Sequence, residues 1–345
     1  MNKKKHTIKD IAKLAKVSKG TVDRVLHKRG KVSKEAFKRV SEVLEEIEYQ
    51  PNLIARNLKN NKTYRLCVLI PDCNEDPYWA PAYDGVREAA FGFQSFGVHV
   101  EEFRYQPLDK SLFVQKSLEI IQSSPDGFLL VPLFLEESQE IIKNCKKKGI
   151  LVLVINNFID SLKEPHFIGQ DLYQSGRVAA NLIDFITPKN ACIAIVHINL
   201  DLPMRLKETG FKKYYEEKKE SHHEIITFNV RMDDMNYKSR ILFFIQENPK
   251  ISAILITNSK AYILAEALQA INKEIIVVGY DLLDENIKYL KGGNIDFLIH
   301  QKLKQQAALG VSFLAEYFLF EKSIPKQKLL PIDIVTSENV TYYLE

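Results

Sequence analysis

The sequence predicts a small all-α head carrying a helix-turn-helix, followed by an α/β body of two parallel-sheet lobes. Three observations carry this expectation. Residues 7–47 hold three short helical patterns, each opened by Thr or Ser in a capping position. From Tyr64 onward, short apolar runs alternate with amphipathic stretches, the rhythm of strand–helix units. Charge divides at the same place: residues 1–62 hold 17 Lys/Arg against 7 Asp/Glu, a balance of +10, whereas the remainder holds 31 against 37, a balance of −6. A basic head on an acidic body suits a polyanionic partner at the N-terminus only.

In the head, Thr7 is placed to cap a first helix from about Ile8 to Ala15, with Ile8, Ile11, Ala12 and Ala15 as its apolar stripe. Lys16-Val17 makes the turn. Ser18 caps a second helix to about Leu26, which buries Val22, Val25 and Leu26. His27 to Val32 form a basic loop. Ser33 caps a third helix, with Ala36 behind it and Phe37, Val40, Leu44 and Ile47 on one face. In Pro51–Leu58, Pro51 can open a helix, and Asn52, Ala55 and Leu58 lie at helical spacing. So short a helix is unstable alone, because nucleation costs more than its few hydrogen bonds return.

In the body, the apolar runs are Leu66–Ile70, Val98–Phe103, Gly127–Val131, Ile150–Ile155, Ala191–Val196, Ile225–Phe228, Ala253–Ile256, Ile275–Val278 and Phe297–Ile299. Helical patterns over Tyr83–Phe96, Ser111–Gln122, Ser138–Lys147, Ser175–Ile186, Met204–Lys218, Asn236–Gln246 and Ala261–Ile271 lie between them. So many strands exceed one comfortable sheet, so two lobes are expected. The organisation is then a head over 1–50, a hinge and linker over 51–63, and a body over 64–345. Lobe one is placed at about 64–165 plus 297–321, and lobe two at about 166–296 plus 322–345.

Several function classes lose support. No apolar run approaches the roughly 20 residues of a membrane span, and the charged start has no apolar stretch behind it, so no membrane or secretory segment is expected. Cys67, Cys73, Cys145 and Cys192 are scattered without a CxxC pair, the pattern of reduced cytoplasmic thiols rather than of a metal site. Neither GxGxxG nor GxxxxGK[ST] occurs, and nothing assembles a nucleophile with a base and an orienter. No catalytic residue, cofactor or metal is expected. His222-His223 precedes a strand and reads as surface.

The head resembles the lac repressor family of bacterial transcription regulators. The match runs through Thr7-Ile-Lys-Asp-Ile-Ala, Ala15-Lys-Val-Ser, Thr21-Val-x-Arg-Val-Leu, Val32-Ser, Tyr49-x-Pro-Asn and Ala55-Arg-x-Leu. The body resembles that family's ligand domain and the type I periplasmic sugar-binding proteins, through Asp76-Pro-Tyr-Trp, Gly169-x-Asp171, Arg205-x-Lys-x-x-Gly210-Phe, Val278-Gly-Tyr-Asp281 and His300-Gln301. The resemblance implies that Lys19, Gly20 and Arg24 read base edges in the major groove, with Arg24 a bidentate donor to guanine. Thr21 and the helix starts behind Thr7, Ser18 and Ser33 would hold phosphates, and His27, Lys28 and Arg29 would add phosphate contacts. Asn52, Ala55 and Leu58 would belong to a hinge helix that forms only against DNA and a second copy, with Leu58 wedged into the minor groove. Gly20 brings no side chain where many relatives read a base, and Asp23 sits where a small hydroxyl residue is usual.

Two α/β lobes bind ligands at the carboxyl ends of their strands. There the resemblance implies an aromatic face from Tyr78 and the lone Trp79, suited to the CH face of a sugar. Asp76, Asn156, Asn157, Asp171, Arg205, Lys207, Asn258, Asp281 and Gln301 would be its polar partners. Asn156-Asn157 replaces the Asp-Arg pair common in sugar binders of this type. The expected protein is thus a cytoplasmic repressor that binds a pseudo-palindromic operator in double-stranded DNA as a homodimer, under a carbohydrate effector. Three alternatives stand beside it: a regulator sensing a purine or phosphorylated metabolite, a solute-binding protein, and an α/β enzyme with a DNA anchor. No leucine heptads follow the last fold element, so a tetramerising coil is not expected.

Overall fold

A computed structural model describes residues 6–26, 29–47, 49, 62–157, 166–218, 223–271 and 274–344. The chain divides into two compact units, Met1–Asn60 and Asn61–Glu345.

The first unit holds helices α1 (Ile8–Leu14), α2 (Lys19–Leu26) and α3 (Lys34–Glu46). Each start is fixed by a side chain that accepts from an otherwise orphaned amide. Thr7 and Asp10 cap reciprocally: the Asp10 amide donates to Thr7 Oγ1, and the Thr7 amide donates to Asp10 Oδ2 at 2.9 Å. Ser18 Oγ accepts from the Thr21 amide at 3.1 Å, and Ser33 Oγ from the Ala36 amide at 3.3 Å. Between α1 and α2, Lys16 adopts φ +52°, which tightens the turn. Ile11, Ala12, Ala15, Val22, Val25 and Val40 close the core. Phe37, expected on the inward face of α3, is 52% exposed instead, because the helix turns Val40 rather than Phe37 to the core.

The second unit is two sheets. Lobe one uses β1 (Tyr64–Pro71), β2 (Val98–Tyr105), β3 (Gly127–Leu130), β4 (Leu151–Ile155), β5 (His166–Gly169) and β11 (Gln327–Leu329), in the order β11-β5-β4-β3-β1-β2. Lobe two uses β6 (Cys192–Ile198), β7 (Glu224–Val230), β8 (Ile251–Ile256), β9 (Ile276–Tyr280), β10 (Phe297–His300) and β12 (Asp333–Val335), in the order β12-β10-β9-β8-β6-β7. All pairings are parallel except that of β10 with β12.

Parallel strands buried on both faces need helices on both. These are α4 (Ala80–Gln94), α5 (Lys110–Ser123), α6 (Leu135–Lys147) and α12 (Leu303–Phe320) on lobe one, and α7 (Leu172–Ile186), α8 (Leu202–Glu217), α9 (Tyr237–Glu247), α10 (Ala261–Ala270) and α11 (Asp284–Lys291) on lobe two. The period-two alternation of β1 shows the two faces directly. Leu66, Val68 and Ile70 pack with Val86 and Leu314 on one side, and Cys67 and Leu69 pack with Phe113 and Ile142 on the other.

The lobe boundaries need correction. Strand β5, placed in lobe two from sequence, hydrogen-bonds to β4 in lobe one. Strand β10, placed in lobe one, pairs with β9 in lobe two, and β11, placed in lobe two, pairs with β5. The chain changes lobe after a strand finishes, so each cut falls a few residues later than a break drawn before the strand.

The three crossovers are Gln170-Asp171, Gln301-Lys302 and Leu330–Ile332. One side chain ties them: Gln170 Nε2 donates to the carbonyls of His300 and Pro331, both at 2.8 Å.

Two glycines position α8. A Cβ on Gly176 would lie 1.9 Å from the Lys207 carbonyl oxygen, and one on Gly210 would lie 1.9 Å from that of Tyr173. Only glycine permits α7 and α8 to cross this closely.

Candidate effector cleft and DNA-reading head

In the head, the chemistry-bearing side chains lie on the surface. Thr7, Ser18, Lys19, Arg24, Arg29 and Ser33 are exposed, Thr21 is half-buried, and Val22 and Val25 turn inward. A Cβ on Gly20 would meet only Ser18 Oγ, at 3.8 Å. No packing constraint therefore explains that glycine. His27, Lys28, Asn52, Ala55 and Leu58 lie outside the described residues.

The cleft of the second unit follows from topology. In each sheet the strand order reverses beside the first strand, between β1 and β3 and between β6 and β8. Loops leaving such a point diverge and open a crevice. A cavity of about 340 Å3 lies there, lined by residues that follow β1, β2, β3, β4 and β5 of lobe one and β6, β8, β9 and β10 of lobe two. Asn156, Asn199 and Asp281, each ending a strand at this cavity, have φ of +70°, +58° and +65°. Asn and Asp tolerate this left-handed conformation better than most side chains, which lets the chain turn sharply at each of these strand ends.

A hydrogen-bonded ring joins the lobes. Tyr78 Oη accepts from Asn156 Nδ2 at 2.6 Å and from Gln301 Nε2 at 3.2 Å. Both lone pairs are then occupied, which leaves the Tyr78 proton for a ligand. Gln301 also donates from Nε2 to Asp281 Oδ2 at 2.6 Å and from its amide to Asp281 Oδ1 at 3.0 Å. Gln306 braces the ring, accepting from the Asn156 amide at 2.9 Å and donating to the Gln301 carbonyl at 2.7 Å. Burial and the nearby Asp281 carboxylate push the Tyr78 hydroxyl well up, so it stays protonated.

The lobe-two wall is ionic. Lys207 is 3% exposed; its Nζ donates to the Thr257 carbonyl at 3.0 Å and sits 3.7 Å from the centre of the Tyr280 ring. Burial pulls this ammonium down to about 8, against the opposing pull of Asp281 and Asp201. Burial likewise raises Asp281, partly offset by Lys207, His300 and the bonds from Gln301. Lys260 Nζ reaches across the mouth to Asp76 Oδ1 at 3.3 Å. The Asn157 Oδ1 is buried and has no hydrogen-bond partner among the described residues.

Comparison with known proteins bears on both units. Residues 7–52 match the family model of bacterial regulatory proteins of the lacI family, and residues 67–322 match that of the periplasmic binding protein domain. The ribose operon repressor of Halalkalibacterium halodurans is 26% identical over 80% of both chains. The transcriptional regulator MalR of Streptococcus pneumoniae is 27% identical over 76% of this chain and 78% of its own. A solved protein of Bacteroides fragilis described as a LacI transcriptional regulator is 28% identical, with a TM-score of 0.76, over 82% of this chain and all of its own. The chain carries the DNA-binding domain of the lacI family of bacterial regulatory proteins together with a periplasmic binding protein domain. A solute-binding protein of Burkholderia graminis solved with D-arabinose, 20% identical with a TM-score of 0.73, covers 82% of this chain and 99% of its own and shares the fold.

This lacI-family regulator brings most, but not all, of its sequence-predicted effector residues to the cleft. Asp76, Tyr78, Trp79, Asn156, Asn157, Lys207, Asn258, Asp281 and Gln301 line it. Two do not. Asp171 caps α7, accepting from the Gln174 amide at 2.9 Å, and Arg205 lies exposed outside the cavity. Asn258 reaches the cleft with its amide already used: Nδ2 donates to the Ile198 carbonyl at 2.7 Å and Oδ1 accepts from the Lys260 amide at 3.2 Å. Trp79 is 4% exposed and packs largely in the lobe-one core, with Tyr78 set edge-on at 4.8 Å.

The sequence reading missed Asp201, Lys260, Asn199 and Gln306. The first three immediately follow β6 and β8, so the strand-end rule alone would have found them. Behind the wall, buried His197 bridges Thr257 Oγ1 at 2.7 Å and Glu208 Oε2 at 2.9 Å, which fixes the turn of α8 that presents Lys207.

Proposed function

We propose that this regulator is a repressor that binds a pseudo-palindromic operator as a homodimer and responds to a free sugar in the interlobe cleft. The ring of Tyr78, Asn156, Gln301 and Asp281 beside the Tyr78–Trp79 pair carries the sugar reading. It offers hydroxyl-sized donors and acceptors next to an aromatic face. The name of one similar protein, the ribose operon repressor, points the same way. A phosphorylated effector is less well served. Asp76 already neutralises Lys260, and Asp281 and Asp201 flank Lys207.

Residues 1–50 serve as the DNA reader. Lys19, Gly20 and Arg24 face base edges, while Thr7, Ser18, Thr21, Arg29 and Ser33 hold phosphates, together with His27 and Lys28. Residues 51–63 are the linker, with Asn52, Ala55 and Leu58 ordered on DNA. The protein acts in the cytoplasm and by binding alone. Burial pushes the thiols of Cys67 and Cys145 up to about 11 and about 12, which leaves them un-ionised and unreactive. Release from DNA requires the effector to bind the DNA-incompetent arrangement more tightly.

The test titrates Trp79 fluorescence and melting temperature against free sugars, sugar phosphates and purines, and follows operator binding by gel shift. The expected result is saturable quenching and stabilisation by one free sugar, with release of a dimer from DNA. A response to purines or phosphorylated compounds alone would overturn the sugar reading. Absence of any DNA binding would favour a solute-binding protein.

A further inference from the structure

The cleft has a second kind of lining, which the hydrogen-bonded ring does not use. Leu108 and Leu135 of lobe one and Leu202 and Leu206 of lobe two face the same cavity. All are exposed, Leu108 to 81%. A single exposed leucine is ordinary on a protein surface. These leucines surround one cavity, come from both lobes and adjoin a polar site, which is the pattern of a ligand groove.

Their places follow from topology. The crossovers leave from one side of each sheet, through β5 and β11 in lobe one and β10 and β12 in lobe two. Asn156 and Asp281 end β4 and β9, the strands next to that side, and Gln301 follows β10. Leu108 instead follows β2, the opposite edge of lobe one. Leu202 and Leu206, four residues apart on one face of α8, follow β6, one strand in from the opposite edge of lobe two. Leu135 opens α6, after β3. The polar ring thus lies near the crossovers, and Leu108, Leu202 and Leu206 lie away from them.

Local structure does not account for Leu108. It precedes Asp109, the cap of α5, where an apolar residue often staples onto the fourth helical residue, here Phe113. Phe113 is fully buried while Leu108 stands in the open, so that staple is not made. Asp201, beside Leu202, caps α8, accepting from the Met204 amide at 2.9 Å.

We propose that the effector is a sugar carrying an apolar substituent, such as an aryl or alkyl glycoside. Its ring sits against Tyr78, Asn156 and Gln301, and its substituent lies between Leu108 and the Leu202–Leu206 face. The ring supplies orientation, and the substituent adds affinity in proportion to the apolar area removed from water. The proposal rests on the sugar reading of the cleft and narrows it.

The probes are the methyl and phenyl glycosides of glucose, galactose, mannose and xylose, in both anomeric forms, with the parent sugars beside them. Each is titrated into the full-length chain, with binding read by calorimetry and melting temperature. For the sugar that binds, the phenyl glycoside should bind about tenfold tighter than the methyl glycoside, the gain from burying part of one ring. Leu108→Ser combined with Leu206→Gln, both at exposed positions, should keep the parent melting temperature and the affinity for the methyl glycoside while removing that gain. The proposal falls alone, and the sugar reading stands, if methyl and phenyl glycosides bind equally. The same holds if the phenyl group is excluded because the leucines close on one another, or if the double variant keeps the gain. If no sugar or glycoside binds, both fall together.

Discussion

The two walls of the effector cleft are built from the same fold in two different chemistries. Lobe one presents an aromatic and amide surface, Tyr78, Trp79, Asn156 and Asn157, with one carboxylate, Asp76. Lobe two presents ions, Asp201, Lys207, Lys260 and Asp281, framed by aliphatic side chains such as Leu202 and Met204. A neutral, aromatic face holds a ligand by shape and costs little to dehydrate, whereas the buried ions of this wall, Lys207 and Asp281, discriminate because any group that fails to satisfy them is penalised. The contrast teaches that lobe one supplies contact area and lobe two supplies selectivity.

Four substitutions would break or sharpen this contrast. The largest effect should come from the frame beneath the ionic wall. Gly210→Ala sets a methyl group 1.9 Å from the Tyr173 carbonyl oxygen, so α7 and α8 must separate and carry Lys207 away. A loss of about 3 kcal/mol is expected, at the upper end of overpacking costs. Gly92→Ala in α4 of lobe one meets nothing within 4 Å and should stabilise by about 0.5–1 kcal/mol. Equal melting temperatures for the two variants would defeat the packing argument.

Next comes Lys207 itself. Its folded value of about 8 lies below the ordinary lysine value of 10.5, so between those limits the unfolded chain holds the proton more tightly than the native one. Stability contributed by this group therefore rises with pH from about 8 to about 10.5, by about 3 kcal/mol over the full window. Lys207→Met should erase that slope and raise stability near neutrality. Denaturant melts of both proteins at pH 7, 8 and 9 would show it, and parallel profiles would refute it. If the effector accepts from the ammonium, its affinity in the parent protein should also fade above pH 8.

The smallest effect should be Tyr78→Phe. It removes a hydroxyl that accepts from Asn156 and Gln301, a loss of about 1 kcal/mol in stability. The same change should weaken effector binding severalfold, because the ligand loses its donor. Unaltered affinity would shift recognition wholly onto lobe two.

Much of this was legible in the sequence. The caps at Thr7, Ser18 and Ser33 and the alternating runs of the body follow from local rules, and Asp281 and Gln301 stand where strands end. Arg205 and Lys207 were not separable. Two residues apart on a helix they point roughly 200° from each other, and only the crossing at Gly176 and Gly210 decides which turns inward. Helix α12 escaped notice because it is apolar on nearly every side, which leaves no amphipathic period to detect. Strand β5 is four residues long, and no local feature of His166–Gly169 tells which sheet it joins. Asn258 and Asp171 carried the expected chemistry but spend it on their own backbone surroundings.

The open space at Gly20 has a consequence for how such a regulator changes its targets. A glycine inside a helix costs about 1 kcal/mol relative to alanine, and here no neighbour demands it. Almost any side chain could be installed at that position without disturbing the head, and most would strengthen it. Under the proposed DNA reading, in which this position faces base edges, a side chain installed there would alter target preference on an axis separate from folding.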